Sequence, residues 1–427
     1  MALVDASMLK LGATARGLVP LYGTTVMLAF GHGMVVVTIP VLATFFDISI
    51  GVAAQVVTAH AVGRFAGQPV AGVLVDRLGP RLSLIGGPAV VAAAALSVVV
   101  TPWFAALLAA VFLMGVGDSV FMLAREVAGI DTVRPAQRGR LMSGFFGFNS
   151  LGMALGPVLG GVLTELISFR AVFVVYAVLA ALAVPLALTV KARRQAAAQP
   201  RADAAASAGG QGLAGRFRAL AGLFHAIEPR FRKTYLALTF ATFSMMIYRM
   251  TLHSMLPLYA GSQLGFSPTQ VGLLFSISGV FIMAMIVPAG FVMDKIGRKW
   301  ATVPSTAVPG VVFLLFPFAD TFLQLAVLVS FLGVANGLSL GSVAVSTYDI
   351  APERVRGRLQ AARRTVAETG AIGAPAAGGA MANVYGPAVP FVVFGPVMLL
   401  AAVLLAFGSR ETLVKQPARG VQGAVDT

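Results

Sequence analysis

Five ionisable side chains attract attention because each lies deep inside a long apolar stretch of the sequence. They are His32, Arg64, Asp118, Arg249 and Glu368. Placing such a group at the depth of membrane hydrocarbon costs on the order of 3 kcal/mol, so these residues are functional candidates by default. A carboxyl group that meets and leaves an arginine also changes its affinity for protons. These side chains could therefore bind a polar group or carry a proton away from bulk water.

Helical periodicity places several polar side chains on common faces. In one apolar stretch His60, Arg64 and Gln68 recur every four residues, and in another Arg249 and His253 do the same. Residues four apart lie on one side of an α-helix. Such a face must turn toward protein or water rather than lipid. For each of these two histidines, a hydrogen-bonded structural role and a titrating role both stay open.

The sequence lacks the patterns of several other chemistries. It has no cysteine and four histidines, so disulfides and thiolate metal sites are excluded and a zinc site is not expected. A glycine-rich phosphate loop followed by Lys and Ser or Thr is missing, which argues against nucleotide hydrolysis. The GVGD string from Gly115 to Asp118 lies within an apolar stretch and matches such a loop weakly. We therefore predict a protein that is not an enzyme and needs neither a cofactor nor a metal.

The composition is that of a membrane protein. Of the 427 residues, 58% are hydrophobic and 11% are charged, and the mean hydropathy is +0.88. Apolar stretches of about 20 residues recur, each long enough to cross roughly 30 Å of hydrocarbon as a helix. The predicted fold class is an all-α membrane protein with twelve transmembrane helices. We number them 1 to 12, at about residues 18–46, 50–75, 82–101, 103–130, 141–164, 170–190, 235–260, 268–293, 301–319, 321–348, 359–382 and 387–408.

The net charge of +15 falls on one side of these helices. When both termini are placed in the cytoplasm, the cytoplasmic segments hold nearly all Lys and Arg residues, and the outer loops hold only Arg170. This positive-inside bias predicts a multi-pass inner-membrane protein with both termini cytoplasmic. The basic residues then face anionic lipid headgroups, and no nucleic-acid partner is expected.

Charge and composition also divide the chain. A basic segment rich in Ala, Gly and Gln precedes helix 7 and is typical of a flexible linker. We predict a cytoplasmic N-terminal tail, a six-helix bundle, a cytoplasmic linker, a second six-helix bundle and a cytoplasmic C-terminal tail. Their residues are 1–16, 17–190, 191–234, 235–408 and 409–427.

The two halves are related by an internal repeat. A shift of 218 residues places Gly72 on Gly290 and Asp76 on Asp294, and it later places Arg-Gly-Arg at 138–140 on its copy. Parallel repeats of this kind pack about a pseudo-twofold axis along the membrane normal, with the substrate site near the midplane between them. We therefore expect two pseudo-symmetric bundles.

Two copies of a loop motif give this architecture a family likeness. GVLVDRLGPR at residues 72–81 and GFVMDKIGRK at residues 290–299 resemble the signature loop of the major facilitator superfamily. The resemblance implies a conformational latch, in which Asp76 faces the positive end of helix 11 only while the cytoplasmic side is closed. A plain loop with a helix cap is the alternative. The residues assigned to the latch are Gly72, Asp76, Arg77, Gly79, Arg81, Gly290, Asp294, Gly297, Arg298 and Arg125, the last as a partner of Asp76 or Glu126.

Helix 5 carries a second motif of the same family. Its pattern GxxxGPxxGG resembles the motif that this superfamily associates with drug and proton antiporters, and so it implies export. Close helix packing alone would also favour such glycines. The motif residues are Gly152, Gly156, Pro157, Gly160 and Gly161.

Two departures from the family pattern concern coupling. Exporters of this kind usually carry an arginine in helix 4, four residues before the glycine that Gly115 matches, and Val111 stands there. Helix 4 offers Asp118 and Arg125 instead. Helix 1 holds His32 where exporters often hold an acid. The usual proton relay is therefore not in its usual place.

The resemblance further implies that helices 1, 4, 7 and 10 line a substrate cavity. This nominates His32, Asp118, Tyr248, Arg249, His253 and Asn336 as cavity residues.

Asp118 is the first candidate for the coupling proton. Counted from the cytoplasmic ends of their helices, Asp118 and Arg64 lie at nearly the same depth and are expected to meet. Arg64 could instead contact substrate directly. Glu368 in helix 11 is the rival carrier, or a structural partner of Arg364 one turn away. The proton-coupling candidates are therefore Asp118, Glu368 and Arg64.

These features predict a secondary active transporter that works by alternating access. We expect proton-coupled export of small, amphipathic or drug-like compounds, with protons and membrane lipids as further partners and a monomeric state. A proton-coupled importer of a small metabolite on the same fold is the alternative. A sensor that does not transport is the third hypothesis, and the intact loop motifs and midplane charges argue against it.

Overall fold

The computed structural model of the chain describes residues 2–133, 137–190, 224–339, 342–352 and 355–412. Every regular element in these ranges is helical. Twelve helices correspond in order to the twelve predicted ones, and the predicted all-α class in two six-helix halves is confirmed.

The first half contains helices 1 to 6. Helix 1 continues after a short break into a second segment, and helix 2 begins with a separate short turn. The bounds are Ala2–Val36 and Ile39–Phe45 for helix 1, Ile50–Ala53 and Gln55–Leu78 for helix 2, Pro80–Val100 for helix 3, Phe104–Thr132 for helix 4, Arg138–Leu166 for helix 5 and Phe169–Leu188 for helix 6.

The second half contains helices 7 to 12, and several of them change their winding near an end. The bounds are Pro229–Pro257 and the π-helical Leu258–Gln263 for helix 7, Pro268–Phe291 and Val292–Ile296 for helix 8, Arg298–Thr302, Pro304–Leu315 and Phe316–Phe318 for helix 9, Phe322–Ser339 and Ser342–Ile350 for helix 10, Arg356–Tyr385 for helix 11, and Val389–Val403 and Leu404–Gly408 for helix 12.

The helix ends differ from the predicted domain boundaries at two points. Helix 1 begins at Ala2, so it runs through the stretch expected to be a tail, and helix 7 begins at Pro229, inside the expected linker. Residues 191–223 of the linker and 413–427 of the C-terminal tail lie outside the described part of the chain. The division into domains stays a prediction.

Within the described ranges, nine helices are long and apolar enough to cross a membrane by length and composition alone. Helices 2, 7 and 11 do not reach that threshold. Helix 2 contains His60 and Arg64, helix 7 contains Arg249 and His253, and helix 11 contains Glu368. The polar faces of these three helices lower their mean hydropathy, and they turn inward to the cavity described below.

The halves touch along two seams, between helices 5 and 8 and between helices 2 and 11. Gly161 faces the backbone carbonyl of Pro268, and Gly272 faces that of Pro157, with no room for a Cβ at either glycine. Glycine therefore permits helices 5 and 8 to approach as closely as their backbones allow.

One side of the molecule, which we call the gated side, closes the space between the halves. The amide of Gly51 donates to Asn383 Oδ1 at 2.7 Å, and the amide of Thr269 donates to Glu165 Oε2 at 3.3 Å. Buried apolar side chains from residues 36–54 join the core of the second half there. The halves are therefore held together on this side.

The opposite side carries the two loop motifs, and we call it the motif side. Each motif turns at a glycine with positive φ, +86° at Gly79 and +151° at Gly297. Only glycine adopts such angles readily, which explains why both copies of the motif have glycine at this position.

Candidate functional site: a cavity between the halves

A cavity of about 430 Å³ lies between the halves. Helices 1, 2, 4 and 5 contribute its walls from the first half, and helices 7, 8, 10 and 11 contribute them from the second. Because the halves are in contact on the gated side, that contact separates the cavity from the gated surface of the molecule. The structure brings together in this cavity most of the polar residues singled out from the sequence: His32, Arg64, Asp118, Arg249, His253, Asn336 and Glu368.

Tyr248 is the exception among the expected cavity residues, and its placement corrects that expectation. It does not line the cavity, and its hydroxyl donates to the carbonyl of Leu332 at 3.3 Å within the core of the second half. Its ring lies 5.6 Å from that of Phe313 between centroids. Adjacent helical residues point in different directions, so when Arg249 faces the cavity Tyr248 cannot.

Asp118 pairs with a histidine of its own half. His60 Nε2 and Asp118 Oδ2 are 2.9 Å apart, and each side chain is 12% exposed. The ring of His32 lies 4.3 Å from the ring of His60 between centroids. His60 was recognised in the sequence only as part of a polar face, because periodicity does not show which group on that face meets helix 4.

Arg64 pairs across the two halves. Its Nη2 lies 4.0 Å from Oε1 of Glu368, with side-chain exposures of 36% and 17%. The expected pair of Arg64 with Asp118 is therefore replaced by Arg64 with Glu368 and Asp118 with His60. His60 and Arg64 are one helical turn apart, and His60 lies at the level of Asp118. His60 rather than Arg64 therefore contacts Asp118.

Arg249 is held by neutral partners. Its Nη2 donates to Asn336 Oδ1 at 2.6 Å and to Ser339 Oγ at 2.9 Å, and its Nε also donates to Asn336 Oδ1. Asn336 is the repeat counterpart of Asp118. At this equivalent position, Asp118 of the first half pairs with the imidazole of His60, and Asn336 of the second half pairs with the guanidinium of Arg249. The charge of Arg249 is thus not cancelled by a carboxylate.

Arg125 reaches neither Asp76 nor Glu126 in this structure. Its Nη1 donates to Thr25 Oγ1 at 3.1 Å, and its guanidinium lies 4.4 Å from the centre of the Phe145 ring. Its Nε is buried and has no partner within the described part of the chain.

Methionines line much of the remaining cavity wall. Thioether side chains are flexible and adapt to ligands of varied shape. No sequence pattern predicts their position in the cavity, because methionine inside an apolar helix does not differ from the other apolar residues. They are Met114, Met122, Met153, Met246 and Met250.

The first copy of the loop motif is open. Asp76 is exposed, and its carboxylate makes no ion pair or hydrogen bond with another described residue. Arg77 is exposed as well, and a Cβ at Gly72 would point into open space. Arg81 donates to the carbonyl of Leu188. The latch is expected only in the opposite conformation, so it stays a prediction.

The second copy contacts its own half. Arg298 Nε donates to Asp349 Oδ2 at 3.3 Å, and Glu411 accepts from the amides of Arg298 and Lys299. The side chain of Asp294 lies outside the described part, and a Cβ at Gly290 would point into open space.

The helix 5 motif packs in two directions. Gly152, Gly156 and Gly160 lie on the face toward helix 1, where Gly156 meets the carbonyl of Phe30. Gly161 lies on the face toward helix 8. Close packing and a role at the seam between the halves therefore coincide in this motif.

A second cleft of about 550 Å³ lies on the gated side, between the end of helix 1 and the start of helix 8. Among its described lining residues only Asp47 is ionisable. It is therefore a poor candidate for polar binding compared with the cavity.

A comparison with known families decides the class of the chain. The model of the Major Facilitator Superfamily matches residues 21–234 and 238–425. The chain belongs to the major facilitator superfamily. It is therefore a multi-pass membrane transporter and not an enzyme.

Two curated relatives match part of the chain. An uncharacterized MFS-type transporter of Methanocaldococcus jannaschii is 25% identical over 175 residues, which are 41% of this chain and 45% of the relative. The multidrug resistance protein MdtG of Salmonella choleraesuis is 29% identical over 182 residues, 42% of this chain and 43% of the relative. The matches thus span less than half of each relative.

Solved structures share the fold over nearly the whole chain. A D-xylose-proton symporter has a TM-score of 0.69 at 18% identity and covers 92% of this chain and 98% of its own. The peptide transporter POT in complex with sulfate has a TM-score of 0.72 at 16% identity, with coverages of 92% and 94%. At these identities the likeness concerns the fold.

Proposed function

We propose that this transporter is a proton-driven exporter of small amphipathic compounds, working by alternating access in the inner (plasma) membrane of the cell. The observation that carries the proposal is the Arg64 and Glu368 pair, whose two members belong to different halves of the molecule. Any movement of the halves about the cavity changes the separation of this pair. A proton on Glu368 would thereby be linked to the conformation of the transporter.

The linkage would couple an inward movement of protons to the movement of the halves. The positive-inside rule assigns the motif side to the cytoplasm, so the closed gated side faces outward and the cavity belongs to an inward-facing state. A coupling carboxylate of a proton-driven transporter releases its proton toward the cytoplasm in the inward-facing state and takes up another in the outward-facing state. This is the role that we propose for Glu368, because its contact with Arg64 differs between the two states.

Asp118 is less suited to this role, although it is the first candidate by sequence. Its partner His60 is in the same half, and the two helices that carry them pack tightly together. A rigid-body movement of the halves leaves that contact unchanged. We therefore propose that Glu368 carries the coupling proton and that Asp118 contributes to substrate binding.

The proposed substrate class follows from the cavity wall. Five methionines provide an adaptable apolar surface, while Arg249, Asn336 and the His60 and Asp118 pair provide polar contacts. Such a wall suits compounds with an apolar body and a polar group. The name of MdtG and the helix 5 motif support export over uptake.

Inverted membrane vesicles test the function. A panel of fluorescent amphipathic compounds, cationic, neutral and anionic, is added to vesicles with an acidic interior, and the loss of the pH gradient is recorded. We expect at least one compound to discharge the gradient in vesicles with the natural protein and not with Glu368→Gln. A compound that is driven out of the vesicle lumen together with protons would instead identify a symporter.

A further inference from the structure

Three metal-ligating side chains meet in the cavity at the level of Asp118. One donor atom from each of His32, His60 and Asp118 lies within 4.8 Å of the other two. The three residues come from helices 1, 2 and 4, so they all belong to the first half. Their arrangement is therefore preserved when the two halves move against each other.

The third member of the cluster, His32, takes no part in the contact between His60 and Asp118. Neither ring nitrogen of His32 is hydrogen-bonded to another residue in the described ranges, although the ring lies against His60 inside the protein. His32 is half-buried and lines the cavity. The imidazole of His32 thus faces the other two groups and offers a free nitrogen to a ligand in the cavity.

Two imidazoles and one carboxylate are the donor set of open zinc sites, where three protein ligands leave the fourth position for water or substrate. Imidazole and carboxylate donors also suit Co²⁺ and Ni²⁺. Donor atoms around a tetrahedral ion lie about 3.4 Å apart, given metal–ligand bonds of about 2.1 Å. Nε2 of His60 and Oδ2 of Asp118 are 2.9 Å apart, slightly closer than this, and one nitrogen of His32 lies within 4.8 Å of a donor atom of each. Side-chain movements on the order of 1 Å would bring the three donors to the tetrahedral spacing.

The charges around the site leave Asp118 available to a cation. Arg64 is the nearest arginine along helix 2, and it is paired with Glu368. Arg249 is held by Asn336 and Ser339. Arg125, farther along helix 4, is hydrogen-bonded to Thr25. Asp118 therefore has an imidazole as its partner rather than a guanidinium, and an imidazole is itself a metal ligand.

We propose that His32, His60 and Asp118 form a binding site for a divalent transition-metal ion of the Zn²⁺, Co²⁺ and Ni²⁺ class. The fourth coordination position faces the cavity, where it takes either water or a donor atom of a transported compound. The ion thus enters as the free cation or at the centre of a chelate. The site is independent of the proposed direction of transport and of Glu368.

Cobalt binding tests the site directly. The full-length protein is purified in detergent without a polyhistidine tag, and Co²⁺ is titrated with and without 8-hydroxyquinoline, a compact aromatic chelator. We expect one Co²⁺ per chain, with the visible absorption bands of a four- or five-coordinate ion that Zn²⁺ displaces. Saturation by Co²⁺ alone identifies the free cation as the ligand, and saturation only with the chelator identifies the chelate.

His32→Gln is the decisive variant, because it removes a ligand without breaking the His60 and Asp118 contact. We expect it, and Asp118→Asn, to weaken Co²⁺ binding at least 10-fold. His225→Gln is the matched control, since His225 is exposed and remote from the cavity, and it should bind as the natural protein does. Size-exclusion profiles establish that the variants are folded. Absence of Co²⁺ binding in both arms, or equal binding by His32→Gln, would overturn the proposal.

Discussion

At the scale of single residues, three arginines in the interior of this transporter have neutral partners rather than carboxylates. Arg249 is bound by Asn336 and Ser339, and Arg125 by Thr25 and an aromatic ring. Arg363 in helix 11 is 4% exposed, and its Nη1 donates to Thr242 Oγ1 at 2.6 Å. The positive charge of these guanidinium groups is therefore not neutralised by a carboxylate in direct contact.

Arg363 provides a test of stability at this scale. Arg363→Gln removes the donor to Thr242 and leaves a buried hydroxyl with one partner fewer. We expect a loss of about 1–3 kcal/mol, which is the usual cost when a buried polar group loses its partner. The loss is measured as a lower midpoint of thermal unfolding in detergent.

The matched control is Arg364→Gln. Arg364 is the next residue along helix 11, and it is exposed. Its substitution should leave the midpoint unchanged. Equal effects of the two substitutions would mean that removing positive charge from helix 11 matters, and not the buried contact.

At the scale of helices, the gated side depends on how closely helices 5 and 8 approach. Gly161 allows that approach because the backbone of Pro268 occupies the space of its missing side chain. A larger residue there forces the helices apart. The seam belongs to the state in which the gated side is closed, so separating the helices favours the opposite state.

Gly161→Val should therefore shift the transporter toward an open gated side. Overpacking of this kind costs about 1–3 kcal/mol. If the open and closed states are equally populated, that energy shifts most molecules to the open state. The chain has no cysteine, so spin labels can be attached to two introduced cysteines at the outer ends of helices 5 and 8. Distances between the labels should lengthen. Gly147→Val, at a position of helix 5 with open space, should leave them as they are.

The loop motif makes a second prediction for the helices. Asp76→Asn removes an anion that is expected to face the start of helix 11 in the closed form, an interaction worth about 0.3–1 kcal/mol and up to ~2 when partly buried. Transport should fall much more than the amount of protein in the membrane. Asp294→Asn, the repeat counterpart, should be milder. Normal transport by Asp76→Asn would show that the loop acts only as a helix cap.

At the scale of the whole molecule, the positions of the helices could be predicted and the partners of their side chains could not. Apart from the start of helix 1, which lies at Ala2 rather than near residue 18, apolar length and the repeat register identify the ends of the twelve helices within a few residues, because crossing hydrocarbon requires a fixed length. Depth along a helix also follows from counting residues. The rotation of each helix does not, and it decides that His60 rather than Arg64 meets Asp118, and that Tyr248 leaves the cavity.

The arrangement of the halves explains why the two carboxylates differ. Asp118 and its partner move together in one half, whereas Glu368 and Arg64 lie in separate halves. The sequence placed both acids at membrane depth but could not show which pair bridges the halves. Coupling between a proton and the movement of the halves requires a contact that the movement alters.

The measurement that tests this account most directly compares Glu368→Gln with Asp118→Asn in proteoliposomes with an imposed pH gradient. The substrate is a compound identified by the vesicle screen, and both uphill transport and exchange without a gradient are recorded. We expect Glu368→Gln to exchange the compound but not to accumulate it, because the neutral side chain cannot carry the proton. Asp118→Asn should bind the compound more weakly and still accumulate it against its gradient. The contradicting result is that Glu368→Gln transports the compound uphill while Asp118→Asn does not. In that case Asp118, on helix 4, would carry the coupling proton.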